Sequence, residues 1–180
     1  MRNFFFVIFC AAVVFLQVSS AGVIFGSERV PNFALALVIS LVLVLGFEKS
    51  LAWIILTGIL VDVYSGWIIG MDALVMIIIA WVVSALLSVA DIKSRKSLFF
   101  PALFLLSAGF ALIYDILAGI FMHVAILWLN IGGSYFRVNY SGWDYTFKIF
   151  FTALSVYAVY YFVERINRLF SRPAPAFVRK

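Results

Sequence analysis

Apolar residues fill this chain in long runs separated by connections of only a few polar residues. A bilayer's hydrocarbon core asks for about 20 apolar residues per helical span. Six runs approach that length, at about 4–25, 32–47, 51–68, 73–89, 98–129 and 145–163. Backbone polar groups in lipid must be satisfied within the segment, which leaves the α-helix. The composition agrees. The chain is 66% hydrophobic and 12% charged, where a soluble domain has about half and a quarter. A chain of 180 residues cannot hide that much apolar surface from water. The expected fold is therefore an all-α integral membrane protein forming one polytopic domain over 1–180.

The connections set the order of the spans. Arg2 followed by Asn3–Leu16 and Val18–Ala21 imitates a secretory signal peptide. The apolar run resumes through Phe25, so the segment reads as a retained first span. Gly26–Arg29 is a polar turn. Pro31 opens the second span at a position where proline is tolerated. Glu48–Ser50 reads as the next turn. Gly70–Asp72 reads as a tight connection with Asp72 as N-cap of the fourth span. Asp91–Ser97 is a basic loop, Leu98–Leu129 one long helix, and Asn130–Asp144 the longest loop.

Charge orients this arrangement. With six transmembrane helices and both termini cytoplasmic, Arg2, Lys49, Lys93, Arg95, Lys96, Arg165, Arg168, Arg172, Arg179 and Lys180 fall inside. Only Arg29, Arg137 and Lys148 fall outside. That asymmetry follows the positive-inside rule. It accounts for the net charge of +5 without a nucleic-acid partner. The basic tail at 164–180, with Arg165, Arg168, Arg172, Arg179 and Lys180, suits anionic lipid, at about 1 kcal/mol per surface cation.

Catalytic and metal chemistry find little purchase. Cys10 is the only cysteine and His123 the only histidine, on separate spans. No set of metal ligands, phosphate-binding loop or nucleophile elbow is present. The expectation is a non-enzyme without cofactor or metal. His123 reads as a buried, hydrogen-bonded residue.

Two acids lie within spans. Gly58, Asp62 and Gly66 are spaced i, i+4, i+8 and share one helix face; Ala111, Asp115 and Gly119 repeat the pattern. A carboxylate at bilayer depth costs roughly 2.5–3.5 kcal/mol on insertion scales, so it needs a partner or a task. One task is a proton, cation or polar substrate site. The other is helix packing, with small neighbours allowing close approach. No Lys or Arg partner within the membrane is evident for either acid, which favours packing. On that reading Asp62→Asn keeps the fold, because amide and carboxyl share shape. The aromatic loop residues Tyr135, Phe136, Tyr140, Trp143 and Tyr145 read as an interfacial belt, or as a surface for an extracytoplasmic partner. Asn139–Ser141 fits a glycosylation triplet.

The stretch from Pro31 to Leu87 resembles MreD, the rod shape-determining membrane protein family of bacteria. The resemblance rests on Pro31-Asn32-Phe33 opening the second span and on Gly46-Phe47. It rests further on Gly58-x-x-x-Asp62-x-x-x-Gly66 and on Gly70 before the fourth span. Phe33 stands where the family usually has leucine. The resemblance implies a non-enzymatic scaffold of the cytoplasmic membrane that packs against MreC, a bitopic protein with a periplasmic domain. It also implies company with MreB filaments, RodA and a class B penicillin-binding protein, joined to peptidoglycan synthesis. MreD is thought to share its fold with the substrate-binding component of energy-coupling-factor vitamin transporters, which supplies an alternative. A proton-coupled transporter using Asp62 and Asp115 is another.

Overall fold

The computed structural model describes residues 2–20, 30–65, 68–90, 96–129 and 142–170. These form α1 (Arg2–Phe15), α2 (Phe33–Leu45), α3 (Phe47–Ser65), α4 (Met71–Ala90), α5 (Lys96–Leu129) and α6 (Gly142–Phe170). A wider π-type turn, Leu16–Ser20, extends α1. Among the described residues there is no strand. Three helices are long and apolar enough to cross a membrane, with apolar stretches at Met71–Ser88, Pro101–Phe121 and Gly142–Phe170. α1 and α2 are apolar but shorter.

α2 is the axis of the bundle. Every residue from Ala34 to Leu43 is buried. Its sequence has no charge on any face, and a helix apolar all round belongs inside. α6 and α3 pack along it, with α4 and α1 filling the remaining sides. Its start needs care, because the first backbone N–H groups of a helix lack partners within it. Each is answered here. Phe33 N donates to the Pro31 carbonyl and Ala36 N to that of Asn32. Leu35 N donates to the Asn32 side chain. Ala34 N donates to Gln17 Oε1 at 2.8 Å, so α1 caps α2.

α1 turns Phe6, Cys10 and Val14 into the core, one residue per turn. Phe6 meets Trp53 of α3 with ring centroids 5.4 Å apart. Phe5 meets Phe170 at 5.4 Å and Phe9 meets Phe162 at 6.3 Å. The start of α1 and the end of α6 therefore lie together at one end of the bundle.

Several boundaries differ from the sequence expectation. Glu48–Ser50 is not a turn. The chain reverses at Gly46 alone, with φ +82°, a region open to glycine at little cost. Ser50 N already donates to the Gly46 carbonyl, so the three polar residues form the first turn of α3. α6 runs to Phe170, past the expected 163. Arg165 and Arg168 are therefore helical, and Arg168 bonds Glu164 at 2.6 Å one turn away, a spacing that supports helix. The expected tail residues Arg172, Arg179 and Lys180 lie outside the described residues. So do Gly66, the loop residues Tyr135, Phe136, Arg137 and Tyr140, the Asn139–Ser141 triplet, and Arg29, Lys93 and Arg95.

Candidate functional site

The polar residues that look misplaced in an apolar chain come together in one layer. Asp62 is fully buried near the end of α3. Its Oδ2 accepts from Gly70 N at 2.7 Å and its Oδ1 from Asp72 N at 3.0 Å. Both donors belong to the start of α4. Asp62 is thus an N-terminal cap delivered by the preceding helix. A carboxylate there also complements the positive end of the helix dipole. Asp72 does not cap α4. It is the second residue of the helix, and its Oδ1 accepts from the Tyr114 hydroxyl at 2.6 Å. The expectation failed because Gly70, at φ +99°, turns the chain so that Asp62 reaches the free N–H groups first.

Tyr114 carries the layer across the bundle. Its hydroxyl lies between Asp72 and the side chain of Asn32. Asn32 N donates to Thr152 Oγ1 at 2.9 Å. Thr152 in turn donates to the Lys148 carbonyl at 2.7 Å. Lys148 Nζ meets both oxygens of Asp115, at 2.9 and 3.0 Å. The starts of α2, α4 and α6, the end of α3 and the middle of α5 are joined at one level. Ser40 adds a second tie, donating to the Ala36 carbonyl and to that of Val156. Among the described residues, every buried side-chain nitrogen or oxygen has a partner.

The two acid stripes take different neighbours. A Cβ on Gly58 would stand 2.2 Å from Ala73 Cα and 2.6 Å from Ala73 N. α3 and α4 touch backbone to backbone there, which only glycine allows. That face of the stripe is occupied by the protein's own next helix. Asp115 has an ionic partner after all: Lys148, counted from the sequence as an outside charge at the start of the sixth span, lies in α6 and reaches it. Gly119 borders an open groove of about 430 Å³ with Ile116, Ile120 and His123. His123 is exposed on this groove rather than buried. The helix has already left the core at that level. Pro31 precedes the cap of α2, and Gly46 and Gly70 are the two described glycines with positive φ.

Sequence reasoning gave no place in a polar layer to Gln17, Asn32, Tyr114, Lys148 and Thr152. Their signal was present: each is a polar side chain in or beside an apolar run. Their pairing was not, because the partners lie 17 to 120 residues apart. Among the described residues no three His, Cys, Asp or Glu side chains gather as a metal site would require. A narrow cleft between α2, α4 and α5 holds about 20 Å³ and is lined only by apolar side chains, including Ile39, Val83, Leu103 and Phe110. Comparison with protein-family models, with curated proteins and with solved structures returns no match.

Proposed function

We propose that the chain is a six-span, non-enzymatic scaffold of the bacterial cytoplasmic membrane, of the MreD kind. Both termini face the cytoplasm, and the chain packs against an MreC-like bitopic protein. It couples MreB filaments to peptidoglycan synthesis by RodA and a class B penicillin-binding protein. Arg165 and Arg168 at the end of α6 rest on anionic lipid together with Arg172, Arg179 and Lys180.

One observation supports this reading most. Asp62, the acid at the centre of the motif shared with MreD, spends both oxygens on the start of α4. A group so engaged organises helices, because both its oxygens serve backbone N–H groups of α4. The resemblance through Pro31, Gly46, Gly58, Asp62 and Gly70 supplies the family. The wholly apolar cleft beside α2 counts against a vitamin pocket, which would need polar groups to fix its ligand.

The test is purification of the tagged chain from bacterial membranes in mild detergent. The expected result is co-purification of a single-pass protein with a large periplasmic domain. Recovery with an ATPase module, or with a tightly held small molecule, would replace the scaffold by the transporter component.

A further inference from the structure

α5 is held in an unusual way. Its buried residues, Leu103, Ser107, Phe110, Ala111 and Tyr114, form one stripe that stops at the polar layer. There, adjacent residues bond to opposite neighbours. Tyr114 bonds to Asp72 of α4 and Asp115 to Lys148 of α6. On one side of this level the helix borders the apolar cleft against α2 and α4. On the other side it continues to Leu129, and none of its described side chains there is buried. Ile116, Ile120 and Val124 are 59%, 54% and 45% exposed. From Tyr114 the helix extends roughly 16 Å to Leu103 and roughly 22 Å to Leu129, at 1.5 Å per residue.

We infer that α5 is a lever pivoting at Tyr114–Asp115, so that displacement of its outer arm opens or closes the cleft beside Val83 and Leu103. The fulcrum is polar, directional and two-sided. The cleft gives the inner arm room of about one methyl group, where a close-packed core would give none. The outer arm is held more lightly, by partly buried Leu117, Ala118 and Phe121, with Ile116, Ile120 and Val124 exposed. A rigid helix transmits such displacement across the membrane without bending. This inference concerns one helix and stands apart from the identity of any partner.

The test uses the full chain with Cys10→Ala, spin-labelled in pairs in lipid nanodiscs. Leu105→Cys with Trp81→Cys reports the inner arm, because both side chains are exposed about 14 Å from the layer. Ile120→Cys with Ile69→Cys reports the outer arm. Val83→Ile adds one methylene to the cleft. The expected result is a longer inner distance and a shorter outer one, each by roughly 1–3 Å over arms of these lengths. Leu103→Val, which enlarges the cleft, should move both distances the other way. Tyr114→Phe should remove the opposition between them. Distances that stay fixed, shift on one arm only, or shift in the same sense would overturn the lever.

Discussion

Asp62 sits one turn from a backbone-to-backbone contact, whereas Asp115 sits where the buried stripe of α5 ends. Asp62 is fully buried and accepts from two backbone N–H groups. The Asp115 side chain keeps 20% of its surface and bonds a flexible ammonium that is itself 16% exposed. Around Asp62, Gly58 lets two backbones touch; around Asp115, Gly119 leaves a groove open. One acid fixes the geometry of a turn. The other ties two long helices together at a seam. A carboxylate in an apolar helix can thus serve packing in two ways, and only one of them places both oxygens beyond reach of solvent and ions.

The sharpest way to break this contrast is at the glycines. Gly58→Leu should abolish folding, because the added carbons would fall inside the α4 backbone. Gly119→Leu should leave the melting temperature within a few degrees, since Gly119 borders the open groove. Equal effects in a detergent thermal-shift assay would erase the distinction.

Next come the acids themselves. Asp62→Ala leaves the Gly70 and Asp72 N–H groups without acceptors, a loss of about 3–5 kcal/mol if both stay dry. Asp62→Asn is also harmful, by about 1–3 kcal/mol, because an amide has one acceptor oxygen and must aim N–H at N–H on the other side. The sequence expectation that Asp62→Asn keeps the fold rested on shared shape; the paired acceptance at Gly70 and Asp72 adds a cost to that exchange. Urea unfolding in detergent, followed by tryptophan fluorescence, separates the two values. A silent Asp62→Asn would show that the paired acceptance at Gly70 and Asp72 contributes nothing.

Tyr114→Phe keeps the ring and removes one hydroxyl bond to Asp72. It should cost about 1–2 kcal/mol and raise amide hydrogen exchange at the start of α4. Smallest is the seam. Lys148→Gln should cost about 1 kcal/mol, because the glutamine amide can still donate to the Asp115 carboxylate. Its effect should shrink further in an Asp115→Asn background. An additive double mutant would mean that the two side chains do not interact.

Much of the fold was legible in the sequence. The apolar runs place all six helices, since periodicity and run length are local properties. The contacts of Asp62 were less so. Its stripe pointed to close packing, and the small residue at Gly58 does bring helices together. Which helix it meets depended on the turn at Gly70, where one positive φ redirects the chain. Tyr114, Asn32 and Thr152 belong to three different helices, and nothing local ties them together. Lys148 lies within the sixth apolar run, yet nothing local shows that its side chain turns to Asp115 of α5. The short α2 looked like an ordinary span, yet its lack of charge is what lets it sit inside the others.

The scaffold reading turns on whether the buried acids move ions. The direct measurement is proton and monovalent-cation flux in proteoliposomes under an imposed membrane potential, for the native chain and for Asp62→Asn and Asp115→Asn. The expected result is flux at the level of protein-free vesicles in all three. Flux in the native chain that either substitution abolishes would contradict the scaffold and make these aspartates a transport site.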